Sequence, residues 1–150
     1  MPFPAPQELR TYFVTAVTAN RRRLFQVEAN ADLLLKTISD YRHQNRFQLH
    51  AFVIMPDHLH AILTPAPEVS LEKAMQYIKG GFSFRLKSKF DVWSRSLNES
   101  QIITPEKFKA CKTYIEHNPV RARLSASPEA YKYSSLSHPH TVDPHPSHLG

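Results

Sequence analysis

The chain is short of the residues that mark several large classes of protein. Its 150 residues include one cysteine, Cys111, so no disulfide can close within the chain, which fits a reducing, cytoplasmic setting. No basic stretch followed by an apolar core stands near Met1, and no apolar run approaches the about 20 residues of a membrane span. A membrane is therefore not expected as a partner. Acidic residues are few and scattered, 13 Asp and Glu against 19 Lys and Arg, and nowhere form the cluster on which most two-metal nucleases are built. Glycine is scarcer still: of three, two stand side by side at Gly80 and Gly81. The resulting charge of +6 suits a polyanionic partner and a place at the nucleoid, although it also suits simple solubility. The length is that of one domain able to bury a core without staples.

Residues 1–9 hold three of the twelve prolines and no periodicity, which predicts a flexible arm. Thr11 to Thr18 alternates β-branched and aromatic residues and reads as a first strand. It runs into Asn20-Arg21-Arg22-Arg23, either a solvated turn or a phosphate contact. Apolar residues at Val27, Ala31, Leu34, Leu35, Ile38 and Tyr41 fall on one face of a helix. Gln48 to Met55 alternates again, with Leu49, Ala51, Val53 and Met55 on one side, and Pro56-Asp57 turns it into a strand from His58 to Leu63. Ser70 caps a second helix whose stripe is Leu71, Ala74, Met75, Ile78, Phe82 and Leu86. Gly80-Gly81 inside it costs about 2 kcal/mol against two alanines, and calls for either a close backbone approach or a bend.

Phe90 to Ser100 shows no period, and Gln101 to Ile103 reads as a short fourth strand. Thr104-Pro105-Glu106 opens a third helix, expected to end near Asn118 because Pro119 disfavours helical geometry before it. The last thirteen residues carry four of the nine histidines and three prolines, so residues 137–150 are expected to be a disordered His/Pro-rich tail beyond a domain of residues 10–136. The order of elements predicts an α+β fold, a ferredoxin-like or RRM-like antiparallel sheet with helices packed on one face and the third strand inside it.

On that third strand His58 and His60 point to the same face, with Cα atoms roughly 7 Å apart. Two imidazoles so placed can converge on one metal ion, and they equally suit the polar face of a half-buried strand. Asp57 reads as a turn residue. On the third helix Phe108, Cys111 and Ile115 form the core line, while Tyr114 lies off it with His117 and Asn118 nearby, Asn118 one turn on from the tyrosine.

Three segments together carry a resemblance. Phe52 to His60, Tyr77 to Ser83 and Tyr114 to Ala122 resemble, in order, the signature blocks of the single-tyrosine HUH transposases, nearest the REP-associated tyrosine transposases. The likeness extends from about Tyr12 to Ser135. It implies that His58, His60 and Asn118 hold a divalent metal, Mg²⁺ or Mn²⁺, and that Tyr114 attacks single-stranded DNA, forming a 5′-phosphotyrosine and freeing a 3′-hydroxyl so that strands can be rejoined. The substrate implied is a hairpin or repeat element. A lone tyrosine per chain requires a homodimer or successive turnovers for two cleavages. The expected DNA contacts are Arg21, Arg22, Arg23, Lys79, Arg85, Lys87 and Arg121. His117 is a candidate base by position. Two alternatives compete: a metal-dependent nuclease in which water attacks, and a non-catalytic nucleic-acid-binding module whose sheet aromatics, Phe13 or Phe52, stack bases.

Overall fold

The computed structural model describes residues 8–150, so most of the arm expected at residues 1–9 lies outside the described residues. Four strands and three helices follow in the order β1 (Thr11–Thr18), α1 (Glu28–His43), β2 (Phe47–Met55), β3 (His58–Pro65), α2 (Leu71–Leu86), β4 (Trp93–Ile102) and α3 (Pro105–Arg121). The strands form one antiparallel sheet in the order β2-β3-β1-β4, which places β3 in the interior between β2 and β1. The α+β architecture is the one the pattern predicts.

Strand alternation divides the core in two. Val14, Ala16, Phe52, Ile54, Leu59, Ala61 and Leu63 face α1 and α2, where Leu34, Ile38, Ala74, Ile78 and Phe82 complete the larger cluster. Ala51, Val53, Met55, Ile62 and Ile102 face the other way and meet Phe108 and Ile115 of α3. The helices therefore do not form a single layer: α3 crosses the face opposite α1 and α2, because its apolar stripe has a second apolar sheet face to cover. A bulge between Leu49 and Ala51 moves Leu49 into the larger cluster with Phe52 and Ile54, correcting the simple alternation read along β2.

Only one glycine of the pair is needed for close approach. A Cβ at Gly81 would lie 2.8 Å from the Tyr41 ring of α1, whereas at Gly80 the nearest atom is 4.0 Å away. Strand β4 is longer than Gln101 to Ile103. Most of its residues are exposed polar ones on a sheet edge, so no apolar alternation marks it. Trp93 Nε1 donates to the Lys79 carbonyl at 3.0 Å and Lys79 Nζ donates to the Ser94 carbonyl at 3.3 Å, fastening the start of β4 to α2.

Helix α3 begins as expected, with Thr104 Oγ1 accepting from the Lys107 N–H at 3.1 Å, but it passes through Pro119 to Arg121. The proline ring is buried, and the chain after it closes the helix by bonds from Ala122 N to the Asn118 carbonyl and from Leu124 N to the Pro119 carbonyl. Burial in the last turn offsets the proline's one missing donor.

The tail departs furthest from expectation. Residues 137–150 are not disordered; with the segment before them they cover the outer edge of β2, an edge strand with unpaired backbone groups. Tyr133 O accepts from Ile54 N at 2.8 Å, Ser135 Oγ from Phe52 N at 3.2 Å, and the Asp143 carboxylate from Leu49 N at 2.8 Å and from two nitrogens of Arg42 at 2.9 and 3.0 Å. Specific polar pairing orders a segment whose composition carries little apolar surface. Among the described residues, no helix is long and apolar enough to cross a membrane.

Candidate active site

The register of the sheet brings His58 opposite Val17 and His60 opposite Thr15 on β1, with Met55 and Val53 of β2 on the other side. Both rings stand on the α3 face, their centroids 4.7 Å apart at an interplanar angle of 78°. Each is held through Nδ1. His60 Nδ1 lies 2.8 Å from Thr15 Oγ1, and His58 Nδ1 lies 2.7 Å from Asp57 Oδ1. Arg21 reaches the other Asp57 oxygen at 3.4 Å from a turn in which Asn20 and Arg21 both take left-handed backbone angles. With Nδ1 engaged, each ring can keep its Nε2 lone pair for an electrophile, the arrangement usual for imidazoles that ligate metals.

Charge supports the same reading. Burial, then the positive potential of His58 and Arg121, pushes the His60 pKa down to about 3, so this 7% exposed ring is neutral at neutral pH. Burial would raise the Asp57 pKa, but hydrogen bonds and charges from His58 and Arg21 outweigh it and hold the carboxylate below its ordinary value.

Tyr114 stands across from this pair on α3, 45% exposed, its ring centroid 5.5 Å from His60 and 6.0 Å from Phe13, edge-on to both. Tyr114, His60 and Phe13 line an open groove of about 380 Å³ together with Thr15, Ser100, Lys107 and Cys111. A larger cavity of about 600 Å³ lies elsewhere, between the tail and α3, around His50, Phe108 and His145. Asn118, one turn beyond Tyr114, is half-buried, and its side chain has no hydrogen-bond partner among the described residues. His117 is exposed on the same helix.

Two imidazoles engaged through Nδ1, with an amide one helical turn from Tyr114, have the donor types that suit a divalent cation keeping coordination positions for solvent or substrate. Among the described residues no group of three or more His, Cys, Asp or Glu side chains is placed to hold a metal.

The basic residues separate into different surroundings. Arg121 lies over the Tyr114 ring, 4.3 Å from its centroid, and Arg21 braces Asp57. Arg22 donates to the Asp91 carbonyl and Arg23 to Gln26, both beside the strained turn. Lys79 and Arg85 belong to α2 on the far side of the sheet, where Lys79 binds β4 and Arg85 pairs with Asp40 at 2.9 Å. Lys87 is the exposed left-handed cap of that helix. Phe52 is fully buried under α1 and α2 and so cannot stack a base, while Phe13 packs on Tyr114 and His60. Thr15 and the orienting role of Asp57 were not legible beforehand: Thr15 becomes a partner of His60 only through the cross-strand register, although Asp57 stands next to His58 in sequence.

A family described as "Transposase IS200 like" matches residues 7–118. Among solved structures, a REP-associated tyrosine transposase bound to a REP hairpin superposes with a TM-score of 0.78 at 21% identity, covering 97% of this chain and 88% of that one. A putative transposase from Deinococcus radiodurans R1 superposes with a TM-score of 0.56 at 22% identity, covering 78% of this chain and 96% of that one. At these identities the likeness is one of fold. No curated protein matches the chain.

Proposed function

The chain belongs to the IS200-like transposase family, and from that premise we propose that it cuts and rejoins single-stranded DNA at hairpin-forming repeats through a covalent bond to Tyr114. The observation that carries this reading is the position of the Tyr114 ring, 5.5 Å from His60 on the face where both histidines stand.

In this mechanism His58, His60 and Asn118 would hold Mg²⁺ or Mn²⁺, and such an ion would supply electrostatic stabilisation of the charge that develops on the phosphate. Asp57 and Thr15 hold the two imidazoles through Nδ1, which leaves each Nε2 available to a cation. Tyr114 Oη forms the new O–P bond while the bond from phosphorus to the 3′-oxygen breaks. The phenol proton passes to water and the departing 3′-oxygen takes one up, so the proton count is unchanged. The phosphotyrosine keeps the energy of the broken diester, and attack by a 3′-hydroxyl reverses the step without ATP. Strand exchange at both ends of a segment then requires two subunits or two turnovers.

The test is incubation of labelled single-stranded hairpin DNA with Mn²⁺ and either the wild type or Tyr114→Phe, followed by denaturing electrophoresis. A protein-linked DNA band in the wild type that is lost in the variant is the expected result. Cleavage that survives in the variant with no adduct would instead assign attack to water.

A further inference from the structure

We infer that Arg121 is the positioning residue for Tyr114: it clamps the ring against the histidine face and presents its remaining N–H groups to the phosphate of the strand being cut. The inference rests on the assignment of Tyr114 as nucleophile. It starts from helical spacing. Seven residues are almost two turns, so Arg121, the last residue of α3, lies on the same side of the helix as Tyr114. Long side chains on a helix point back toward its N-terminus, which brings this guanidinium over the tyrosine.

Two contacts result, both to the same residue. The guanidinium carbon lies 4.3 Å from the ring centroid, and an Arg121 terminal nitrogen donates to the Tyr114 backbone carbonyl at 2.8 Å. Phe13 and His60 meet the ring edge-on, and Arg121 adds a cation over its face. The ring is otherwise half open to solvent, so its orientation depends on few neighbours.

The charge of Arg121 is also uncommitted. Arg21, Arg42 and Arg85 pair with Asp57, Asp143 and Asp40, and Lys112 pairs with Glu116 on α3 itself. Arg121 makes no ion pair among the described residues. One of its five donors is taken by the Tyr114 carbonyl, which leaves the others for a phosphodiester. A lysine would keep the charge but could not both lie flat on a ring and hold the carbonyl, because an ammonium lacks the planar fork.

The inference is tested with the full chain, Mn²⁺ and hairpin DNA, comparing wild type, Arg121→Lys and Arg121→Gln. Single-turnover adduct formation at saturating DNA separates rate from affinity, and nitration of Tyr114 by tetranitromethane, mapped by mass spectrometry without DNA, reads the clamp directly. Arg121→Gln should lower the saturated rate about 100-fold, the usual consequence of a misplaced reacting group. Arg121→Lys should recover DNA affinity but not the rate, and nitration of Tyr114 should rise in both variants. A saturated rate equal to wild type, or nitration unchanged, would overturn the positioning role, as would a defect confined to half-saturation and cured by lysine. A wild type that forms no adduct overturns the nucleophile assignment instead, and the nitration result distinguishes that failure from the other.

Discussion

Replacing Thr15 by valine removes the hydroxyl that holds His60 while keeping the branched shape a strand favours. The lost bond is 2.8 Å long and its partner ring is 7% exposed, so Nδ1 is left buried without a partner. That costs about 1–3 kcal/mol of stability. It also frees the ring to turn or change tautomer, and loss of such an orienting partner weakens metal binding about 10–100-fold, or about 1.4–2.7 kcal/mol. Asp57→Asn is the informative companion. The amide oxygen can still accept from His58 Nδ1, and the ion pair given up involves an Arg21 side chain that is 68% exposed, so stability should change by less than about 1 kcal/mol. The negative charge behind the imidazole is lost, however, and with it part of the ligand's basicity. One variant should therefore lose both stability and Mn²⁺ affinity, the other affinity alone. Urea denaturation and calorimetric titration with Mn²⁺, both without DNA, separate the two effects. Unaltered Mn²⁺ affinity in both variants would show that the Nε2 atoms of His58 and His60 are not ligands. An unaltered urea midpoint for Thr15→Val would refute the energetic argument for the hydrogen bond.

Acid should destabilise the fold through histidine before carboxylates contribute. Folded His60 takes up its proton only near pH 3 against an ordinary value of 6.5, so its contribution is complete above pH 6.5 and falls by up to about 1.4 kcal/mol per unit as pH drops toward 3. Burial also depresses His50, while Asp57 and Asp143 lose their contribution only below 3.8, so His60→Gln should flatten the stability profile between pH 6.5 and 4; urea midpoints with an unchanged slope would refute this. Asp143→Ala removes the partner of Arg42 and of Leu49 N, and should cost about 1–3 kcal/mol and expose residues 137–150 to proteolysis, measured by urea titration and timed digestion. Gly80→Ala should stabilise by up to about 1 kcal/mol, whereas Gly81→Ala meets the Tyr41 ring and should destabilise once an overpacking cost of about 1–3 kcal/mol is set against the same helix gain; urea midpoints should move in opposite directions.

Legibility in the sequence followed the strength of local pattern. Strand β1 carries its alternation and α1 its stripe, so both were readable from residue spacing alone. Strand β4 was visible only at its C-terminal end because an exposed edge needs few apolar residues. Periodicity identified the buried stripe of α3 but could not say which sheet face it covers, since that depends on which strand face still lacks a partner. Composition predicts a disordered tail because it reports missing apolar surface and is silent about a carboxylate that fits Arg42 and a free strand edge together. Within the site, the spacing of His58 and His60 is a local property and was legible. Thr15 is 45 residues from His60 and becomes its neighbour only when the register is known. Lys79 and Arg85 read as phosphate contacts by charge alone, yet packing commits them to β4 and Asp40.

The fold divides the proposed chemistry between parts held with unequal firmness. The two histidines stand on an interior strand bonded on both sides, their rings tied through Nδ1 to Thr15 and Asp57, so the groups proposed to hold the cation are fixed before DNA arrives. Tyr114 belongs to a helix that crosses the sheet on a smaller cluster, with only Phe108, Ile115 and Pro119 buried, and its own ring is half exposed. Rejoining makes this asymmetry useful. In the proposed forward step the phenol oxygen would attack phosphorus, and in the reverse step a 3′-hydroxyl would approach the same phosphorus while the phenol departs. A nucleophile as tightly embedded as the histidines would obstruct the second strand, whereas one held by an aromatic edge, a guanidinium face and three buried side chains can be displaced without disturbing the cradle. The firm half of the site sets where charge is stabilised; the lightly held half allows the phosphate to change partners.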